Sequence, residues 1–406
     1  MDEIVITGIG IISACGIGKE VFWQNCLSGR TGIAPIQSFD TSAYHSHLGA
    51  EVRDFNPKHF MPPLKYRRMS RVSRLAVAAS IEAIKDAALE VSPQSALSMG
   101  VIIGTGYGST SQTDDFFMGL LKEGPEGANP SLFPDTVPNA PASQVSIYHG
   151  LKGPNTTFSH NEVLGEQALA YAYRLLQESR AGVFLVGSVD EISAVLFHSY
   201  AAVRALSPKG AHEEGMRPFD RRRNGRVLGE GAGILVLEEK TQARERGAKI
   251  YGSLAACAFT GGPVGSHQYE TGAEQMTRAM KSVLSAAGVS DTQVDYISAA
   301  ANSTQELDRA EAMAIQKAFS QAGSIPVSSV KGHIGDFCGS GTLRAAALLL
   351  SMRDGKIPPT FGLKNPEFEL DHIMEQTRVK QIRYALLNGF SFGGSNVCLL
   401  FKNEIQ

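Results

Sequence analysis

The chain is poor in cysteine, and its few cysteines follow no recognisable binding pattern. The 406 residues include only five, odd in number and widely scattered: Cys15, Cys26, Cys257, Cys338 and Cys398. Such scatter fits reduced thiols in the cytoplasm and matches no zinc-binding spacing. We therefore expect a cytoplasmic protein without a bound metal, and no cofactor is indicated.

Long apolar runs and an excess of one charge are also lacking. No apolar run approaches the roughly 18 residues that a membrane span needs. The acidic N-terminus has neither the basic segment nor the long apolar segment of a signal peptide. The net charge is only −2. These absences argue against membrane and nucleic-acid partners.

Apolar residues and glycine are abundant instead. Hydrophobic residues make up 43% of the chain, charged residues 19%, and there are 42 glycines; this composition is typical of a globular, loop-rich α/β protein. A series of strand, helix, strand, buried helix, glycine turn and closing strand occurs twice, with the closing strands at 231–237 and 393–401. This duplication predicts a pseudo-symmetric layered fold of two repeats, 1–245 and 246–406.

One short polar turn, residues 159–163, lies between a strand pattern and an apolar helix pattern. Residues 156–158 favour a strand, and apolar residues recur at helical spacing from Leu164 onward. Strand, sharp turn and buried helix are a standard mount for a nucleophile, because the helix N-terminus offers unpaired N–H groups and positive potential. The residue at this elbow is Glu162, and no Cys or Ser with a nearby base stands there.

Five segments together resemble one protein family. They are residues 4–10, 153–165, 217–233, 329–331 and 388–396. Through these segments, the chain resembles the β-ketoacyl synthases, condensing enzymes of the thiolase superfamily, over essentially its whole length. The resemblance implies a thiolase-like fold of five layers, α-β-α-β-α, built from the two repeats.

The three catalytic positions of that family are changed in this chain. Active members use an elbow cysteine to hold the acyl chain as a thioester, and two histidines to promote decarboxylation of the malonyl unit and to stabilise the enolate. In register with the family's motifs, this chain has Glu162, Ala300 and Asp336. His333 lies nearby but out of register. The resemblance therefore implies a protein that keeps the fold and lacks the condensing chemistry.

Within the family, this pattern resembles the chain length factor of type II polyketide synthases. That resemblance implies an inactive subunit that pairs with a catalytic ketosynthase, as a heterodimer or a dimer of heterodimers, and shapes the tunnel that sets poly-β-ketone length. An acyl carrier protein would bring the malonyl and polyketide chains. Most members of this branch carry glutamine at the elbow, and Glu162 departs from that pattern.

Two interpretations of Glu162 stay open. As a structural residue, it would accept N–H bonds at the helix N-terminus. As a reacting group, it would make the chain a divergent enzyme of the family, either a malonyl-carrier-protein decarboxylase or a condensing enzyme, with His160 as a further candidate base. Lys331 and Asp336 could form a buried ion pair in the altered pocket.

A second group of candidates falls where chain length factors line the far end of their tunnel. It combines two threonines with three phenylalanines: Thr110, Thr113, Phe116, Phe117 and Phe133. The aromatic residues would close the tunnel as a steric stop, while the small threonines would leave it open. The equally weighted alternative is ordinary interface core.

Arginines form a third group of candidates. Four of them, expected on about one face of a long helix, could dock an acidic carrier protein: Arg67, Arg68, Arg71 and Arg74. A solvated basic face, or ion pairs within a dimer, is the alternative. The same ambiguity applies to a second set: Arg221, Arg222, Arg223 and Arg226.

Overall fold

A computed structural model describes residues 2–208, 210 and 212–404. Its α-helices are α1 (Lys19–Leu27), α2 (Pro63–Tyr66), α3 (Arg71–Asp86), α4 (Thr110–Glu123), α5 (Ala140–His149), α6 (Leu164–Gln177), α7 (Ala194–Ala202), α8 (Lys240–Glu245), α9 (Glu274–Ala287), α10 (Gln305–Ala318), α11 (Lys331–Ile334) and α12 (Gly341–Asp354). Its strands are β1 (Ile4–Ser13), β2 (Gly16–Ile17), β3 (Ala34–Pro35), β4 (Leu48–Ala50), β5 (Met99–Gly104), β6 (Asn155–Phe158), β7 (Val183–Asp190), β8 (Leu228–Gly229), β9 (Gly231–Glu239), β10 (Gly252–Gly261), β11 (Tyr296–Ser298), β12 (Pro326–Ser328), β13 (Lys356–Ile357), β14 (Asp371–His372), β15 (Arg378–Val379), β16 (Tyr384–Phe390) and β17 (Ser395–Lys402).

A mixed sheet forms the frame of the molecule. The strands of its first half lie in the order β6-β5-β7-β9-β1, and those of its second half in the order β10-β17-β16-β11-β12-β14. In each half the outer strands pair in parallel, whereas the strands towards the middle pair antiparallel. The antiparallel pairing of β1 with β10, which sets Ile4 opposite Leu254, joins the two halves.

Two buried helices lie between the two halves of the sheet. Helix α6 contacts β5 and β7, α12 contacts β9 and β16, and the two helices contact each other. Every residue of α12 from Gly341 to Met352 is buried. Helices α3 and α5 cover one outer face, and α9 and α10 cover the other. The five-layer α-β-α-β-α fold expected from the family resemblance is confirmed.

Helix α3 packs very closely on β1, and glycine permits this contact. A Cβ atom on Gly10 would lie 1.9 Å from the carbonyl oxygen of Ala79. Helix α3 also begins later than the sequence pattern indicates, at Arg71 and not at residue 67. Ser70 is the cause, because its Oγ accepts the N–H of Ser73 at 3.3 Å and so caps the helix. Among the described helices, none is long and apolar enough to cross a membrane.

Candidate functional site

The candidate site lies where several strands end at one edge of the sheet. Strands β11, β12 and β16 run parallel, so the loops that follow them meet at the same edge. The elbow after β6 reaches this edge as well, since the N–H of Glu162 donates to Ser391 Oγ at 3.3 Å. The fold therefore brings the elbow together with the loops that carry Asn302 and Asp336.

The elbow has the predicted form of strand, turn and helix, but its carboxylate points elsewhere than we expected. Helix α6 has Val163 as its N-cap and no side-chain cap. The expectation that Glu162 accepts N–H bonds from the helix N-terminus is therefore wrong. Its side chain, only 2% exposed, instead forms an ion pair with Arg226 Nη1. The hydroxyl of Tyr269 lies 2.8 and 2.7 Å from the two carboxylate oxygens and donates to this group.

Arg226 links the elbow to the second changed position. Its Nη1 lies 3.0 Å from Asp336 Oδ2, and its Nη2 donates to the hydroxyl of Tyr269 at 2.8 Å. Lys331 Nζ lies 2.8 Å from Asp336 Oδ1, so the buried ion pair between these two residues is confirmed. We call Glu162, Arg226, Asp336, Lys331 and Tyr269 the elbow cluster.

The charges of the elbow cluster balance. Two carboxylates face a guanidinium and an ammonium, all four groups being buried. Burial alone raises the pKa of Asp336, but the cations of Lys331 and Arg226 hold it below its ordinary value. Burial also raises the pKa of Tyr269 far above its ordinary value, and the nearby carboxylate of Glu162 adds to this effect. Tyr269 therefore stays a neutral donor, and the cluster is a set of mutually compensated buried charges.

The third changed position supplies no reacting group. Ala300 is buried in the loop after β11, and its N–H donates to Glu311 Oε1 at 2.9 Å. Asn302, two residues later, donates from Nδ2 to Asp336 Oδ2 at 2.9 Å. Without an imidazole at 300 or 336, the cluster holds no base of the kind that the family uses.

The two histidines that the sequence offered near the changed positions do not belong to the elbow cluster. His160 Nε2 contacts the side chain of Gln167. His333 is buried, and its ring nitrogens lie next to the carbonyl oxygens of Arg30 and Pro359. The geometry therefore gives no support to His160 as a base that acts with Glu162.

A cavity of about 530 Å³ opens beside the cluster. Arg226 and Tyr269 form the wall of the cavity towards the cluster, and Tyr107, Tyr200 and Phe392 are among the other lining residues. The hydroxyls of Tyr107 and Tyr200 lie 3.1 Å apart. A ligand in this cavity would meet the guanidinium of Arg226, the phenol groups of the tyrosines and the side chain of His267.

Of the candidate tunnel residues, Phe117 and Phe133 are exposed in the single chain, and the other three are partly buried. The ring of Phe116 packs at 5.7 Å from the rings of Phe117 and Phe133, and these two side chains are 52% and 58% exposed. The hydroxyl of Thr113 donates to the carbonyl of Ser109 at 2.7 Å. Thr110 lies on the same helix, α4, with its hydroxyl 2.8 Å from Ser193 Oγ. The structure thus joins the three phenylalanines in one exposed aromatic group.

The four arginines proposed for carrier-protein docking do not share one exposed helical face. Arg71 donates to Glu230, and the guanidinium of Arg74 lies over the ring of Tyr66. Arg67 and Arg68 precede α3 and are exposed.

The second arginine set is divided, because Arg223 and Arg226 are buried whereas Arg221 and Arg222 are exposed. Arg222 pairs with Asp220, Arg223 with Glu367, and Arg226 belongs to the elbow cluster. Arg221 is exposed, and its backbone N–H donates to Asn365.

Sequence reasoning missed the two residues that hold Glu162. In the sequence, Arg226 stands out only as one of a basic set, and no pattern marks Tyr269. One signal was present: carboxylates at two changed pocket positions require buried cations. Lys331 satisfies that requirement for Asp336, and Arg226 is the cation that Glu162 needs.

Comparison with known proteins gives one family for both halves of the chain. The model described as "Beta-ketoacyl synthase, N-terminal domain" matches residues 1–243, and "Beta-ketoacyl synthase, C-terminal domain" matches residues 251–364. The 3-oxoacyl-[acyl-carrier-protein] synthase 2 of Synechocystis sp. is 37% identical over 98% of both chains. The protein of the same name from Coxiella burnetii is 34% identical, also over 98% of both.

A solved structure agrees with this result. "The ishigamide ketosynthase/chain length factor" superposes with a TM-score of 0.92 at 27% identity and covers 100% of both chains. The functional interpretation as a chain length factor is nevertheless wrong, because the curated relatives at 37% and 34% identity are named as 3-oxoacyl-[acyl-carrier-protein] synthases.

Proposed function

Because the chain belongs to the β-ketoacyl synthase family, we propose that it takes part in the synthesis of 3-oxoacyl groups on an acyl carrier protein. The curated relatives are named for this reaction and match the chain over 98% of its length. The cavity beside the elbow cluster supports the proposal, since it reaches the edge of the sheet where the loops of the site meet.

The observation that defines this chain's part in the reaction is the ion pair of Glu162 with Arg226. Acyl transfer through a covalent intermediate needs a nucleophile that is free to attack. The carboxylate of Glu162 is buried, paired with a cation and hydrogen-bonded to Tyr269. Each of these contacts stabilises the carboxylate and makes it a poorer nucleophile. We propose that Glu162 does not accept the acyl chain and that the elbow cluster has a structural role.

A thiol must then come from a second subunit. We propose that the chain pairs with a family member that carries the elbow cysteine. The solved ketosynthase/chain length factor pair of similar fold supports such an arrangement. The exposed aromatic group of Phe116, Phe117 and Phe133 supports it as well, because monomeric proteins rarely expose clustered large apolar side chains. In the same proposal, Arg67 and Arg68 remain available to an acidic carrier protein.

Reconstitution tests this proposal. The purified chain, alone and mixed with a cysteine-bearing family member, is incubated with acyl- and malonyl-carrier protein, and 3-oxoacyl-carrier protein is measured by mass spectrometry. We expect no product from the chain alone. We also expect the mixture to form more 3-oxoacyl-carrier protein than the cysteine-bearing protein forms by itself. Product from the chain alone would overturn the proposal, and so would a mixture no more active than that protein.

A further inference from the structure

Two cysteines outside the elbow cluster lie next to each other in the folded chain. Cys15 lies between β1 and β2, and Cys26 lies in helix α1. Their sulfur atoms are within 4.8 Å of each other. Both are free thiols, and their exposed fractions are 3% and 0%. Nothing in the 3-oxoacyl chemistry proposed above uses this pair.

Cys15 is the member of the pair that a small molecule can reach. It lines a cavity of about 490 Å³. Val21, another residue of the cavity wall, is 54% exposed, so the cavity opens to the surface. Cys26 has no exposed surface of its own. The two thiols therefore differ in access, one facing a cavity and the other enclosed beside it.

The neighbouring imidazole of His333 is available neither as a base nor as a ligand. Its Nδ1 lies 2.6 Å from the carbonyl oxygen of Arg30, and its Nε2 lies 2.8 Å from the carbonyl oxygen of Pro359. Both ring nitrogens are thereby occupied. Cys15 Sγ also lies near the carbonyl oxygen of Arg30, at 3.7 Å, as a weak donor. The chemistry open to the pair is therefore that of two thiols.

A peroxide would oxidise the two thiols in sequence. Hydrogen peroxide transfers an oxygen atom to Cys15 Sγ, which gives a sulfenic acid and one water. The sulfur of Cys26 then attacks the sulfenic sulfur, so that the S–S bond forms, the S–O bond breaks, and hydroxide leaves with the proton of Cys26 as a second water. Burial raises the pKa of Cys26 well above its ordinary value. Cys26 therefore stays protonated and inert towards peroxide until a sulfenic acid forms beside it.

We propose that Cys15 and Cys26 are a redox-active pair, in which a peroxide oxidises Cys15 and Cys26 closes a reversible disulfide. Disulfides of cytoplasmic proteins are mostly of this transient kind. The cross-link ties the segment after β1 to α1. The chain that follows α1 is bonded to α11, because Thr31 Oγ1 donates to the carbonyl oxygen of Gly332 at 2.8 Å. The disulfide thus forms close to the helix that carries Lys331 of the elbow cluster.

Peptide mass spectrometry tests the proposal. The reduced full-length protein is treated with hydrogen peroxide, quenched in acid and alkylated with N-ethylmaleimide in denaturant, beside a sample that receives no peroxide. Trypsin cuts after Lys19 and Arg30, so the two cysteines fall on separate peptides, 1–19 and 20–30. We expect a linked pair of these peptides in the treated sample only, with a mass about 2 Da below the sum of the two. Dithiothreitol should release both peptides.

Substitutions separate the roles of the two cysteines. In Cys26→Ser, we expect a sulfenic acid at Cys15, trapped by dimedone, and no linked peptides. In Cys15→Ser, dimedone labelling of Cys26 should be at least about tenfold lower at the same peroxide dose, because Cys26 is enclosed and protonated. Cys257→Ser, which changes a partly exposed cysteine outside the pair, should form the linked peptides like the unchanged protein.

Two results would overturn the proposal. One is the absence of the linked peptides from the unchanged protein at a peroxide dose that oxidises Cys257. The other is equal dimedone labelling of Cys15 in Cys26→Ser and of Cys26 in Cys15→Ser. These readouts are independent of 3-oxoacyl synthesis, so this proposal and the proposed function can each fail alone.

Discussion

The guanidinium of Arg226 forms an ion pair with the carboxylate of Glu162, and both side chains are buried. The same guanidinium contacts Asp336, so one arginine bridges the two changed positions that carry a carboxylate. Without this arginine, the buried carboxylate of Glu162 would have no cationic partner, and Asp336 would have only Lys331. The altered pocket is therefore a coherent arrangement of charges.

Removal of the bridge should be costly. Arg226→Met leaves Glu162 with no cationic partner, and we expect a loss of about 3–5 kcal/mol in the free energy of unfolding. The double variant Glu162→Gln, Arg226→Met should lose less than the sum of the single losses, because the unpaired charge is gone. Urea unfolding gives the free energy of unfolding of the two single variants and of the double variant. Arg174→Met, on the exposed side of α6, is the control. A double variant whose loss in unfolding free energy equals the sum of the two single losses would contradict the bridge.

Tyr269 should contribute through its hydroxyl. Tyr269→Phe keeps the ring but removes the donor to Glu162 and the acceptor for Arg226. We expect a loss of about 1–3 kcal/mol in the free energy of unfolding, because the buried charged groups of Glu162 and Arg226 each lose a hydrogen-bond partner. The control is Tyr171→Phe on the exposed side of α6. Similar unfolding midpoints for the two variants would show that the hydroxyl does not stabilise the cluster.

The exposed aromatic group should be a subunit contact. Phe117→Ser and Phe133→Ser should weaken association with a cysteine-bearing partner by about tenfold or more, because apolar anchors dominate interface energies. Leu97→Ser is a matched control, since Leu97 is 54% exposed and Phe117 is 52% exposed. Analytical ultracentrifugation of the mixtures gives the association constants. Identical constants for Phe117→Ser and Leu97→Ser would place the interface elsewhere.

Stability should fall in mild acid because of two histidines. Burial lowers the pKa values of His149 and His372 to about 4, from an ordinary value of 6.5. As the pH falls from 6.5 to 4, the unfolded chain binds protons that the folded chain cannot, so stability is lost in this window. Each histidine accounts for at most about 3 kcal/mol of this loss in unfolding free energy.

A histidine variant measures one of these contributions. His149→Gln should show a smaller loss of unfolding free energy between about pH 7 and pH 4 than the unchanged protein, by roughly 1–3 kcal/mol. His45→Gln, at an exposed histidine, should follow the unchanged protein. Parallel pH profiles for all three proteins would refute the assignment.

The sequence predicted the fold well because the patterns that indicate strands, helices and glycine turns each lie within one short stretch of the chain. Strand and helix patterns and the glycine-rich segments placed the elbow and Ala300 in their correct elements, and the Lys331–Asp336 pair follows from near neighbours in the chain. The partners of Glu162 could not be predicted in this way. Arg226 and Tyr269 lie 64 and 107 positions away, and only the folded chain brings them to the elbow. The repeat boundary at 245/246 and the docking role of Arg67 and Arg68 stay predictions.

The central claim is that the elbow of this chain does not become acylated. Intact-protein mass spectrometry after incubation with acyl-carrier protein tests it most directly, with a cysteine-bearing family member in the same mixture as the positive control. We predict an acyl adduct on the control protein and an unchanged mass for this chain. An acyl adduct on this chain that maps to Glu162 and is absent from Glu162→Gln, but present in Glu178→Gln, would contradict the account.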